Sequence, residues 1–386
     1  MAETQPLFSV EGMLAAASAA TGLDDFGDDE FREALTRLVD STNRESTLSA
    51  IGTVAFPADV QRILVNRLRF AADLKKHPEI LDEDVSDPIV VIGLPRTGTT
   101  KLQRMMAADP DVQRLEYWRV LNPAPFPETI PGQADPRIAA AEQAIAMMAQ
   151  LMPGWSELHP TAAEAVDEEE FLKLFTFKCI FTQLARPLPS FKAWYFAQPQ
   201  QGTYRYMKQL LQYLQWQDGG KQGRPWILKT PGHLGNMDLV LECFPKATVV
   251  VTHRDPRKLV PSLCRLAESS WRFFSESVDM QALGQAGLHD FLGEMKKHLR
   301  WRDRVGDAAN VYDVRYEQIR DDPLGVIGEI YRRAGRELTP QRKQAMLDWA
   351  ANQTSHREGN YKAEDYGLSD AVIDEAYREY NERFLR

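Results

Sequence analysis

Apolar residues along the chain follow two distinct patterns. Between residues 56 and 72, Val60, Ile63, Leu64 and Leu68 recur at helical spacing, so one helix face covers a core there. The whole stretch from residue 1 to about 85 reads as helical, with mixed charge and few strand signals. Pro88-Ile89-Val90-Val91-Ile92 is instead a continuous run closed by Gly93, the mark of a strand buried on both faces, as in a parallel sheet. Beyond the turn, Leu102, Met105 and Met106 fall at i, i+3 and i+4, an amphipathic helix.

This strand–loop–helix unit recurs. Trp226-Ile227-Leu228 passes through Pro231-Gly232 into a helix near residues 235–244, which Pro245 ends. Residues 248–252 form a third strand that turns at Asp255-Pro256 into a helix. Residues 311–316 form a fourth, followed by a helix over about 323–335. Strands alternating with helices predict an α/β fold with a central parallel sheet flanked by helices. Residues from about 120 to 225 interrupt the alternation with a long helical insertion rich in Trp155, Phe171, Phe175, Phe181, Trp194, Tyr195 and Phe196. Ligands of such sheets bind beyond the carboxyl ends of the strands, so the insertion is placed to cap a site. The expected division is a helical N-terminal region, 1–85, packed on an α/β domain, 86–386, that contains the insertion.

Composition narrows the function classes. The chain has 386 residues and a formal net charge of −9, against a nucleic-acid-binding surface spread over the whole protein but compatible with a local basic pocket. Three widely spaced cysteines, Cys179, Cys243 and Cys264, suit neither a disulfide framework nor a thiolate zinc site and read as reduced, buried apolar residues. The N-terminus lacks the basic and apolar segments of a secretory signal, and no run approaches the roughly 20 apolar residues that cross a bilayer. A cytoplasmic protein is expected.

Candidate chemistry gathers after the strands. Gly93-Leu94-Pro95-Arg96-Thr97-Gly98-Thr99-Thr100 joins strand to helix. Its glycines permit a tight turn in which successive amides face one anion, and the helix N-terminus adds partial positive charge. Arg96 and the hydroxyls of Thr97, Thr99 and Thr100 are further donors; a plain Gly/Thr connection with a threonine cap is the bland alternative. A nucleoside triphosphatase loop needs Lys before its final Ser/Thr. Thr99 stands there instead. A second constellation, Thr252-His253-Arg254-Asp255-Pro256-Arg257, precedes a helix in which Ser262 interrupts the apolar stripe Leu259, Leu263, Leu266. Ser262 either bonds a carbonyl one turn back or faces a bound phosphate with Arg254. Asp167-Glu168-Glu169-Glu170 reads as a solvated face or the acidic start of a helix.

Taken together, Leu94-Pro95-Arg96-Thr97-Gly98-Thr99-Thr100 and the Arg254…Ser262 pair resemble the 5′-phosphosulfate loop and the 3′-phosphate site of sulfotransferases that use 3′-phosphoadenosine-5′-phosphosulfate (PAPS), in the bacterial-type branch with Arg in the loop. Leu228-Lys229-Thr230-Pro231-Gly232-His233 resembles the segment carrying catalytic groups, Arg315-Tyr316-Glu317 with Asp322-Pro323 matches the branch, and Arg357-Glu358-Gly359 resembles the basic loop that closes over PAPS. The resemblance spans about residues 88–386. It implies a P-loop-like sheet and sulfuryl transfer to the hydroxyl of a small, apolar acceptor, with release of 3′-phosphoadenosine 5′-phosphate (PAP). It further implies PAPS contacts from Arg96, Thr97, Gly98, Thr99, Thr100, Arg254, Ser262, Arg357 and Gly359, with Lys229 near the transferred group and no metal. Two readings of the general base stay open: His233, which titrates near neutrality, or a carboxylate, Glu168 or Glu169. A phosphotransferase and a non-catalytic nucleotide-binding protein are the competing classes.

Overall fold

The computed structural model describes residues 7–306, 310–353 and 361–386. Three helices precede the sheet: α1 (Val10–Thr21), α2 (Glu30–Glu45) and α3 (Ala50–Lys76). The first strand–loop–helix unit is β1 (Ile89–Gly93) and α4 (Thr99–Met106), followed by a two-residue strand, β2 (Gln113–Arg114). The insertion then folds as α5 (Tyr117–Leu121), α6 (Pro136–Leu151), α7 (Trp155–Leu158), α8 (Glu170–Lys173), α9 (Ile180–Ala185), α10 (Pro189–Ala197) and α11 (Gln201–Gln217). Next come β3 (Trp226–Lys229), a 3-10 turn (Pro231–Asn236), α12 (Met237–Cys243), β4 (Thr248–His253), α13 (Pro256–Phe274) and α14 (Met280–Val305). The chain closes with β5 (Val311–Arg315), α15 (Tyr316–Asp321), α16 (Pro323–Arg333), α17 (Pro340–Ala351), α18 (Asp370–Ala376) and α19 (Arg378–Phe384).

Among the described residues the strands form one parallel sheet in the order β2-β3-β1-β4-β5. β2 is a strand the apolar pattern does not announce, because two residues carry no periodicity. β1 is central and buried throughout, and its side chains divide between two cores as a pleat requires. Val90 and Ile92 face the core shared with the N-terminal helices, the insertion, α13 and α14. Ile89 and Val91 face the core made with Leu102, Met105 and Met106 of α4 and Val326, Ile327 and Ile330 of α16. The result is a three-layer α/β/α arrangement.

Pairing brings the site segments together. Val91 lies opposite Lys229, and Gly93 opposite Thr252, so the loop after β1 emerges with the ends of β3 and β4 on either side. Ser49 ties α3 to α13 by accepting from the Gly52 amide at 2.9 Å and donating to the Phe273 carbonyl at 2.6 Å. No described helix is long and apolar enough to cross a membrane, and all three cysteines are free and buried.

α13 and α14 pack closely at Gly287, where an added Cβ would run into Cys264 Sγ. Gly287→Val is expected to lower the urea unfolding free energy by about 1–3 kcal/mol through overpacking, with the denaturant slope unchanged.

Candidate active site

The loop after β1 is a constrained turn. Gly98 has φ 87° and caps α4, and a Cβ there would sit 3.0 Å from the Tyr316 ring. Arg96 also occupies the left-handed region, with φ 70°, at a cost of about 1–3 kcal/mol for a residue other than glycine. Its side chain and carbonyl account for that conformation. Arg96 Nε donates to Ser262 Oγ at 3.0 Å and Nη1 to the Leu158 carbonyl at 3.2 Å, while Arg254 Nη1 donates to the Arg96 carbonyl at 2.9 Å. Arg254 stacks on Tyr316, 4.1 Å from the ring centroid. Its amide donates to Tyr380 Oη at 3.1 Å, a contact no sequence signal announces.

Arg96, Arg254 and Ser262 are thus brought together from three elements. Thr97 is placed differently from Thr99 and Thr100. Its buried hydroxyl lies 2.6 Å from both the Leu94 carbonyl and Thr252 Oγ1, so it fastens the loop to β4. Thr99 is buried and Thr100 exposed in the first turn of α4. Arg357 and Gly359 lie outside the described residues.

The acidic run departs from expectation. Asp167, Glu168, Glu169 and Glu170 are all buried, neither a solvated face nor an open helix start, because the three glutamates meet donors from another segment or turn. The Lys229 ammonium pairs with Glu168, and the Lys229 amide donates to Glu169 Oε2 at 2.7 Å. Glu170 pairs with Lys173 at 2.9 Å and accepts from the Ile180 amide at 3.1 Å. Asp167 Oδ1 accepts from the Glu168 amide at 2.8 Å. Two side chains of α4 hold the backbone ahead of Glu168: Gln103 donates to the Asp167 carbonyl at 2.9 Å, and Arg104 to those of Val166 and Pro160 at 3.2 and 2.8 Å.

His233 is fully buried. Tyr204 Oη lies 2.7 Å from its Nδ1. Its Nε2 is 3.0 Å from Glu169 Oε1 but off the line of a hydrogen bond. Burial, with the Lys173 charge added, holds the imidazole well below its usual 6.5. Glu168 and Glu169 move the other way. Burial pushes both carboxyls up to about 7, against the Lys229 charge for Glu168 and backbone hydrogen bonds for Glu169.

Glu168 retains a buried oxygen, Oε2, with no partner among the described residues. It shares a wall with His159 and Asp167, one ligand atom from each lying within 4.8 Å of the others. Arg96 reaches that wall through Leu158. The spacing suits a divalent cation, but Lys229 already neutralises Glu168 there. His159 carries no motif that would have marked it in the sequence, and Asp167 is marked only as part of the acidic run. His253, next to Arg254, stacks on Phe384 with centroids 4.0 Å apart and lies 3.0 Å from Asp313, fixed beneath the site.

Lys229→Met is expected to cost about 3–5 kcal/mol of stability by stranding Glu168. Lys229 lowers the Glu168 pKa, so its loss raises that pKa further. The folded state then keeps a proton that the unfolded chain releases near 4.5, and stability falls as pH rises between those values. Urea titrations should therefore show a larger deficit at about pH 8 than at about pH 5.5.

Residues 88–340 match the model of the Sulfotransferase family. The omega-hydroxy-beta-dihydromenaquinone-9 sulfotransferases Stf3 of Mycobacterium bovis and Mycobacterium tuberculosis are each 26% identical to this chain over 166 residues, 41% of it. The aligned stretch spans 40% of the length of those relatives. The crystal structure of sulfotransferase STF1 from Mycobacterium tuberculosis matches with TM-score 0.84 at 29% identity, covering 97% of this chain and 100% of the other. That of STF9 from Mycobacterium avium matches with TM-score 0.86 at 28% identity, covering 99% and 98%.

Proposed function

The chain belongs to the sulfotransferase family, and from that premise we propose that it moves a sulfuryl group from PAPS to the hydroxyl of a small apolar acceptor, with Glu168 as the general base. The observation that carries the reading is the buried Glu168–Lys229 pair, whose carboxylate keeps one oxygen unpartnered in a cluster with His159, the neighbour of the Leu158 whose carbonyl Arg96 engages.

The donor suits the loop. The amides at the start of α4, with Arg96, would hold the 5′-phosphosulfate, and Arg254 with Ser262 the 3′-phosphate. Arg357 and Gly359 belong to the same proposal by family resemblance. In the transfer, the acceptor oxygen forms a bond to sulfur as the bond from sulfur to the 5′-phosphate oxygen breaks. The acceptor proton passes to Glu168. Once neutral, that carboxyl no longer holds Lys229, whose charge can then turn to the leaving phosphate. Glu169 acts through the Lys229 backbone and His233, as a positioning residue. His233 is the weaker base, being sealed from solvent and held at Nδ1 by Tyr204.

An apolar acceptor is supported by the half-buried Phe171 and Phe181, whose rings lie 5.2 Å apart beside the acidic run. The name of the relative Stf3 describes an omega-hydroxylated dihydromenaquinone. The free, buried thiols support a reducing, cytoplasmic setting.

Calorimetry without magnesium tests the donor. PAP should bind tightly and ATP weakly, and Arg254→Ala should weaken PAP by about 100-fold. Magnesium–ATP binding in place of PAP would establish the phosphotransferase instead. A pH–rate profile tests the base. kcat/KM should rise with pH through a limb near 7, and Glu168→Gln should erase the limb and lower kcat by about 10²–10⁴. A limb well below 6.5 that survives Glu168→Gln would assign the base to His233.

A further inference from the structure

Arg186, at the end of α9, is a buried cation without an ion-pair partner among the described residues. It is 7% exposed and sandwiched between Phe56 and Phe274, whose ring centroids lie 4.7 and 4.3 Å from its guanidinium carbon. Neither Nε nor Nη1 has a hydrogen-bond partner among the described residues. The carboxylate that acts on it is Asp59, itself engaged by Arg62 at 2.6 Å. Burial accordingly brings the guanidinium down to about 10. A buried charge left in this state is costly unless an anion completes it.

The same residue lines a cavity of about 880 Å³ between α10 and α14, within the size range of ligand sites. Leu188, Phe196, Trp271, Ala286 and Gly293 contribute to its wall. Of the acidic and basic side chains there besides Arg186 and His289, Lys192 pairs with Asp290, Lys297 lies 2.7 Å from Glu294, and Asp279 caps α14. Trp271, which lines the cavity, lies nine residues beyond Ser262 on α13, roughly 14 Å along the helix. The cavity is therefore distinct from the phosphate loop.

We propose that this cavity binds an anionic amphiphile, an alkyl chain bearing a carboxylate or sulfate head, with Arg186 taking the head and the Leu188–Phe196–Trp271 wall taking the chain. A free long-chain acid and a sulfated lipid share this chemistry.

Titration calorimetry with decanoate, decyl sulfate and the neutral decanol, all below their aggregation limits, tests it, with PAP titrated alongside. At least one anion should bind the wild-type protein tenfold or more tighter than decanol. Arg186→Met should remove that preference while leaving decanol and PAP unchanged. Gly293 faces open space, so Gly293→Phe should fill the cavity and weaken all three chains without affecting PAP. Tighter binding of decyl sulfate identifies a sulfated lipid as the source, and tighter decanoate a free acid. The proposal is overturned if neither anion binds a protein that binds PAP, if decanol matches them, or if Arg186→Met binds the anions as wild type does. Should Arg186→Met not fold, the decanol comparison and Gly293→Phe decide the matter. PAP binding separates these outcomes from failure of the donor assignment.

Discussion

Four consecutive carboxylates, Asp167 to Glu170, lie out of water, and the geometry of the site follows from how they are satisfied. Burial of such groups is tolerable only with partners, and those partners come from different parts of the chain. Lys229 at the end of β3 supplies both its ammonium and its amide, Ile180 an amide, Lys173 a second cation. Sliding the insertion by one residue along the strand ends would strand at least one charge. An apolar interface would accept neighbouring registers; this one does not. The unpartnered oxygen of Glu168 is held in place by the same constraint that docks the insertion.

The sheet supplies the other half of the geometry. Parallel pairing sets Lys229 beside Val91 and Thr252 beside Gly93, so backbone hydrogen bonds position the cation and the loop anchor without long side-chain linkages. Against that rigid frame the left-handed Arg96 is held at both ends, its carbonyl by Arg254 and its guanidinium by Ser262 and Leu158. The conformation is strained and also over-determined. Such a turn presents its amides in one arrangement.

Much of this was legible in the sequence. The buried run at β1, the helical spacing of Leu102, Met105 and Met106, and the turns at Pro231 and Asp255 each report a local constraint, and each element forms. The direct meeting of Arg96 with Arg254 and Ser262 is not anticipated: motif resemblance sets them at opposite phosphates of one donor, and residues 158 and 166 positions apart leave no periodic trace. Asp167–Glu170 misled for a physical reason. An acidic run is ordinarily solvated, and what buries this one lies in partners as remote as β3, invisible from the run itself. β2 is too short to carry a pattern, and Tyr204 and Tyr380 look like any core aromatic until their hydroxyls are seen to end on His233 and Arg254.

A protein of net charge −9 that handles anions must do so locally, and the way it holds its cations governs which anion can enter. Lys229, Arg96 and Arg254 each have an internal acceptor: a carboxylate, a hydroxyl, a main-chain carbonyl. A ligand must replace those acceptors with oxygens of its own, in nearly the same places, or leave a cation worse satisfied than before. Simple anions gain little from that exchange, whereas a ligand with phosphates at both ends replaces several acceptors at once. For Lys229 the exchange depends on a proton as well. Its acceptor lets go only when Glu168 is neutral, which in the proposed mechanism ties release of the cation to the step that activates the acceptor hydroxyl. Under that proposal, selectivity for the donor and timing of the transfer have one origin, the cost of leaving a buried charge in this site without a partner.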